Sequence, residues 1–315
     1  MAPTSSGPDF MRGIVPSMNT PVLADGSIDV DGIVRTAEVV VQAGVAGMLV
    51  LAVAGETGSL DAAEKRLVAS TFLRQVAGRV PVVIGCSSAQ HDDRLALAAM
   101  ARELGAPAML CQVPEGLRGE ALVAQMAGLA AVGPPLLIVQ DLEFGGPGLP
   151  LADILLLRQR VPAFRGLKIE TALPGPKYSA VLEATGGGPH VSGGWAAAQM
   201  IEALHRGVHA FIPTAMDAIY VEIFRRFAAG ELAAARELHA LLTPVLAFSN
   251  QHLDVSIRFF KHLRMREGLF QTAVCRPGVA ALDAHQMHEL EVNIGRVLDL
   301  QRALTGAASF CKPRC

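Results

Sequence analysis

From residue 12 onward, short apolar runs alternate with longer amphipathic stretches, and the alternation continues to about residue 230. The runs fall at 13–16, 48–53, 80–86, 108–113, 136–140, 166–169, 190–192 and 210–212. Consecutive apolar positions mark strands buried on both faces, and helical spacing between them points to parallel strands covered by helices. Gly44, Gly78, Gly105, Gly133, Gly207 and Gly230 each close a helical stretch where a left-handed cap is wanted. Asp61-Ala-Ala-Glu64 has the spacing of a capping box, and Asp29 suits the cap of the first helix. Eight such units within about 220 residues predict an α/β fold, a closed (β/α)₈ TIM barrel over 12–230. An open doubly wound sheet is the rival, but no G-x-G-x-x-G follows the first run and no G-x-x-x-x-G-K-[ST] occurs. Past residue 230 the strand signal ends, and helical stretches at 232–248, 254–267 and 283–304 predict a C-terminal helical extension over 231–308. Residues 1–11 and 309–315 read as tails, the first Pro/Ser/Gly-rich and without the basic start and apolar centre of a signal peptide.

Composition narrows the partners. With 51% hydrophobic and 18% charged residues, the chain can bury a large core. A net charge of −2 gives no basic field for nucleic acid or an anionic membrane. No apolar run reaches the roughly 18 residues of a membrane span, so a small-molecule partner is expected. Cys86, Cys111, Cys275, Cys311 and Cys315 are odd in number, scattered and free of any C-x-x-C, which predicts reduced thiols and a cytoplasmic address.

One lysine stands apart. In Gly166-Leu-Lys-Ile-Glu170, strand alternation sends Leu167 and Ile169 one way and Gly166, Lys168 and Glu170 the other, so Lys168 faces what the sheet encloses. Lys65, Lys177, Lys261 and Lys312 all lie in polar, helical or terminal contexts. An ammonium on a buried strand face is either paired with a carboxylate, Glu170 being the nearest, or gives up its proton, and a neutral amine condenses with a carbonyl.

Barrel chemistry sits at the C-terminal ends of the strands. The candidates there are Glu56 and Thr57, Ser87 and Ser88, Gln140 and Asp141, Lys168 and Glu170, Ser192, and Ile212 at the close of the last run. Alternation puts Gln140 on the face opposite Val139, toward Lys168. Ser192-Gly193-Gly194 precedes a helix expected near Trp195, whose N-terminal amides could hold an anion. No G-x-S-x-G elbow appears. His285-x-x-His288-Glu289 and His205-x-x-x-His209 have helical spacing, but Gly207 interrupts the second and the first lies on a polar face, so no metal is expected.

With that lysine on the sixth strand, the chain resembles the dihydrodipicolinate synthase / N-acetylneuraminate lyase family. Gly13-Ile-Val-Pro16 with Thr20-Pro21 is similar to the family's opening strand and loop, and Gly44-Val-Ala-Gly47 leads into the second strand as it does there. Ala54-Gly-Glu-Thr-Gly-Ser-Leu60 followed by Glu64 resembles the G-T-T-G-E-x-x-x-L-x-x-E-E signature, and Arg79–Gly85 the third strand. Gly166-Leu-Lys-Ile-Glu170 resembles the segment carrying the Schiff-base lysine, and Arg276-Pro277 the R-x-P element of the C-terminal helices. The resemblance implies a lyase or synthase of the class I aldolase type, without a cofactor, in which Lys168 forms an imine with pyruvate or another 2-oxo acid. It also implies an aldehyde as second substrate, a homotetramer or homodimer, and a carboxylate held by the Val53-Ala54-Gly55-Glu56 turn.

The departures point away from lysine biosynthesis. Val53 and Ala54 stand where the family has two hydroxyl residues, although their amides can still bind a carboxylate without side chains. Gln140 occupies the place of the relay tyrosine, Gly116 that of the second tyrosine, and Gly145 that of an arginine for a second carboxylate. Proton transfer then falls to Asp141, Glu143, Glu170, Glu56 or the substrate's own carboxylate. Three readings stay open: a specialised carbon–carbon lyase or sugar-acid dehydratase, a catalytically degenerate binding protein, and a barrel that binds a phosphorylated ligand at Ser192-Gly193-Gly194.

Overall fold

The computed structural model describes residues 10–194 and 197–310. Eight strands, β1 Gly13–Ile14, β2 Met48–Val50, β3 Val82–Gly85, β4 Ala108–Gln112, β5 Leu136–Glu143, β6 Phe164–Thr171, β7 His190–Gly193 and β8 Ala210–Phe211, pair in parallel around one sheet. The seam between β1 and β2 is closed by a parallel bridge from Ser17 to Leu49 and by Leu49 N–H donating to Pro16 O and Met18 N–H to Leu49 O. The sheet is therefore a barrel with no free edge, as a chain of buried apolar strands requires.

Helices α1 Val30–Gln42, α2 Ala62–Val76, α3 His91–Glu103, α4 Gly119–Val132, α5 Leu151–Arg160, α6 Pro174–Thr185, α7 Met200–His205 and α8 Asp217–Ala228 lie between and after the strands. Asp29 caps α1 by accepting from Gly32 N–H, and Asp61 and Glu64 form the reciprocal capping box of α2. Of the glycines expected to close helices in the left-handed region, Gly44, Gly78, Gly105, Gly207 and Gly230 do so, whereas Gly133 has φ −91°. Close packing explains the glycine there: a Cβ on Gly133 would lie 2.5 Å from the Met109 sulfur and 2.9 Å from Leu129 O. The helix start expected near Trp195 falls outside the described residues, and α7 runs from Met200.

Two cores flank the strands. The larger lies between sheet and helices, and the smaller fills the barrel itself with Met11, Val15, Leu49, Val83, Leu110 and Ile138 among others. Ile138 and Leu110 are 1% and 2% exposed, so each contributes about 1.5–3 kcal/mol of apolar burial to the floor beneath the barrel mouth. Beyond the barrel, α9 Leu232–Ser249, α10 Leu253–Arg266 and α11 Ala284–Phe310 form the helical extension, whose α9–α10 junction reaches over the C-terminal ends of the strands.

Candidate active site

β5, β6 and β7 set the site because their register is fixed by the ladder. Gln140 pairs with Lys168, and Lys168 with Ser192, so these three side chains point inward from one level of the barrel. Glu170 lies on the same face one step nearer the mouth. The Lys168 ammonium meets Glu170 Oε2 at 2.9 Å, and Gln140 Nε2 donates to the same oxygen at 2.5 Å. Lys168, Glu170 and Gln140 are 6%, 8% and 7% exposed, so the pair is screened little by solvent. Gly194 makes room for this arrangement, since a Cβ there would overlap the Glu170 carboxylate.

Above the pair is a cavity of about 160 Å³. Ala52, Val53 and Ala54 line one side, Leu142 and Phe144 another, and Ile212 and Thr214 a third, with Ser17 alongside. Ser249, Asn250, His252, Leu253 and Ser256 cover it from the extension. His252 stands at the rim with its side chain 69% exposed, where Nδ1 accepts from Asp254 N–H at 3.2 Å. Sequence reasoning missed this covering set, for which the only local sign is the polar break at 249–252 between two helical stretches.

Val53–Gly55 form a 3₁₀ turn, so the N–H groups of Val53 and Ala54 have no acceptor within it. Asn19 Nδ2 donates to Ala54 O at 2.8 Å and the Thr20 hydroxyl to Gly55 O at 2.7 Å, fixing the turn from the β1 side. The same turn is anchored from the extension through Glu56, which has φ 55° and ends the 3₁₀ turn. Glu56 is ion-paired with fully buried Lys261 and accepts from Arg276 N–H at 2.6 Å. Glu56 and Gly55 thus hold the turn and do not line the cavity over Lys168.

Other expected residues lie elsewhere. Asp141 points out of the barrel, where Lys177 sits 2.5 Å from Oδ2 and Leu149 N–H donates to Oδ1 at 2.8 Å. Burial pushes the Asp141 carboxyl above its usual range, and the Lys177 contact opposes that rise. Odd positions of β5 belong to the outer face, which is why Asp141 cannot share the mouth with Gln140. Gly193 also faces outward, as a Cβ there would lie 2.6 Å from Phe211 and 2.8 Å from the Tyr178 hydroxyl. Ser192 faces inward beside Lys168, is 1% exposed, and has no hydrogen-bond partner for its hydroxyl among the described residues. Lys168 is not alone in being buried, because Lys261 of α10 is fully buried against Glu56, while Lys177 of α6 is half-buried against Asp141 of β5.

Neither tyrosine reaches the amine. The Tyr178 hydroxyl donates to Ile169 O at 3.3 Å on the outer side of β6, and Tyr220 is fully buried in α8. Burial pushes both phenols well above their usual range, with Glu170 and then Glu202 adding to the rise at Tyr178 and Asp217 at Tyr220.

Known proteins agree with this architecture. A family model described as the dihydrodipicolinate synthetase family matches residues 10–115. The 4-hydroxy-tetrahydrodipicolinate synthase of Thermus thermophilus is 33% identical over 163 residues, covering 50% of this chain and 54% of that one. By that alignment the chain spans about half the length of the relative. The crystal structure of dihydrodipicolinate synthase from Rhodopseudomonas palustris superposes with a TM-score of 0.81 at 21% identity, over 92% of this chain and 98% of that one. A catalytic lysine mutant of the Ruminococcus gnavus sialic acid aldolase superposes with a TM-score of 0.84 at 17% identity, over 96% and 99% of the two chains. The chain thus matches the dihydrodipicolinate synthetase family model over its first four strands, and over nearly all its length it shares the fold of these solved structures.

Proposed function

We propose that the protein is a Schiff-base-forming lyase or synthase of the class I aldolase type, acting on pyruvate or another 2-oxo acid through Lys168. The observation that carries this reading is a primary amine at the floor of a small cavity, next to a carboxylate that can take its proton. Support comes from the Ruminococcus gnavus sialic acid aldolase, which has a catalytic lysine and shares this fold. The amides of Val53 and Ala54, which have no acceptor within the 3₁₀ turn, suit the substrate carboxylate, and Ile212 supplies an apolar wall near its carbon chain. Among the described residues no arginine lines the cavity, which favours a partner aldehyde without a second carboxylate and a role outside lysine biosynthesis.

A homodimer or homotetramer belongs to the same reading, supported by exposed apolar side chains such as Leu173, Leu151 and Leu155 on the α5–α6 side. Light scattering on the purified protein tests it, a monomeric mass being the contrary result. A cytoplasmic address is supported by the free thiols of Cys86, Cys111 and Cys275, and no helix of the described residues is long and apolar enough to cross a membrane. Borohydride reduction in the presence of 2-oxo acids tests the activity: an adduct on Lys168 is expected, and its absence from folded protein would leave a binding protein.

A further inference from the structure

We infer that Glu170 is the proton-transfer residue of this site and that Gln140 is its positioning residue, an inference resting on the reading of Lys168 as the imine-forming amine. Proton transfer at the carbinolamine and at the carbon next to the imine needs a titratable group within hydrogen-bond reach of both. Among the described residues lining the cavity, the titratable side chains are Lys168, Glu170 and His252. His252 is at the exposed rim with one ring nitrogen engaged on Asp254 N–H. Glu170 is 2.9 Å from the amine itself. The lining hydroxyls belong to serine and threonine, which do not exchange protons unaided at neutral pH, and the two phenols are elsewhere.

The balance closes with Glu170 alone. The carboxylate takes one proton from the Lys168 ammonium, and the neutral amine adds to the carbonyl carbon, its surplus proton passing to the new alkoxide. Glu170 then returns its proton to the carbinolamine hydroxyl, which leaves as water, and the nitrogen lone pair forms the protonated imine. Glu170, again a carboxylate, removes a proton from the adjacent carbon, and the C–H electron pair moves through the new C=C bond to neutralise the imine nitrogen as an enamine. Reversal of that last step returns the proton. Gln140 serves by donating to Oε2, which keeps the carboxylate turned to the amine, and glycine at 194 leaves the space the carboxylate occupies.

The experiment follows proton–deuterium exchange of the pyruvate methyl group by NMR in D₂O, with borohydride trapping run to equilibrium on the same samples. Glu170→Gln should keep the Lys168 adduct while exchange falls at least about 100-fold, and Glu170→Asp should recover part of it. Gln140→Leu should keep the adduct and slow exchange by about 10-fold, with Gln140→Asn intermediate. Exchange at the wild-type rate in Glu170→Gln with the adduct present would overturn the inference. Loss of both signals in Glu170→Gln with recovery of both in Glu170→Asp supports it, whereas loss of both in each folded variant assigns Glu170 a structural role and overturns it. If Glu170→Gln does not fold, Glu170→Asp decides, since wild-type exchange from a carboxylate one methylene shorter would overturn the assignment. An absent adduct in the wild-type protein would instead remove the reading of Lys168 and is distinguished by that sign.

Discussion

Lys168 and Glu170 reach the barrel interior from one strand, two residues apart, and their charged ends meet at 2.9 Å. Buried pairs of this kind are costly to break from one side, because the remaining charge stays in a low-dielectric site without its partner. Lys168→Ala should therefore lower stability by about 3 kcal/mol. Adding Glu170→Gln should return most of it, as measured by urea unfolding of the two single variants and the double variant. Equal stability of Lys168→Ala and the wild type would show that the pair is not coupled.

Val53 offers a test of carboxylate binding that spares the fold. The preceding Ala52 is extended, with φ −89° and ψ 178°, and Val53 is the first residue of the 3₁₀ turn, so proline fits there and removes only the N–H. Val53→Pro should raise the pyruvate concentration for half-maximal trapping by about 10-fold, the worth of one hydrogen bond to a charged group. An unchanged concentration would place the carboxylate elsewhere.

Asp141 provides the complementary control from the outer face of β5. Asp141→Asn should leave both Lys168 trapping and methyl exchange at wild-type levels while lowering stability, because Lys177 loses the carboxylate it faces at 2.5 Å. A large loss of exchange would mean that the outer face communicates with the mouth.

The tie between Glu56 and Lys261 should matter to both stability and binding. Lys261→Met leaves a buried carboxylate with only the Arg276 N–H contact described for it, so a loss of about 3 kcal/mol is expected. It should also weaken pyruvate trapping, since Glu56 ends the turn that presents Val53 and Ala54. A destabilised variant with unaltered concentration dependence would separate the anchor from the site.

Glu222 carries a pH prediction on α8. Hydrogen bonding from Arg225, reinforced by Arg226, holds its carboxyl down to about 2 from an ordinary 4.5 against its partial burial. A folded-state pKa below the unfolded one contributes stability that is present above the unfolded value and lost as pH falls through the folded one. Glu222→Gln should thus be less stable than the wild type at neutral pH, by no more than about 1 kcal/mol for so exposed a pair. The difference should close between about pH 4.5 and 2, as read from urea midpoints across that range.

The barrel was legible because each apolar run, even two-residue β1 and β8, carries the signature of a strand with no wet face. Period-two alternation was enough to turn Gln140, Lys168 and Glu170 toward one another, and the same rule puts Asp141 outside. Proximity in sequence to a strand end concealed that consequence. The anchoring partners of Glu56 were hidden for a different reason: Lys261 and Arg276 lie more than 200 residues away and meet it only once the extension has folded over β2. The residues of α9 and α10 that cover the cavity were hidden by the same distance, since helical periodicity reports a buried face and not what it is buried against.

The central question is whether the Lys168 amine becomes covalently joined to a 2-oxo acid. Incubation with pyruvate, borohydride reduction and peptide mass analysis answer this directly. A reduced pyruvate adduct on Lys168, absent from Lys168→Ala and from the protein reduced without pyruvate, is the predicted result. A folded wild-type protein that yields no adduct with pyruvate or any other 2-oxo acid would contradict it.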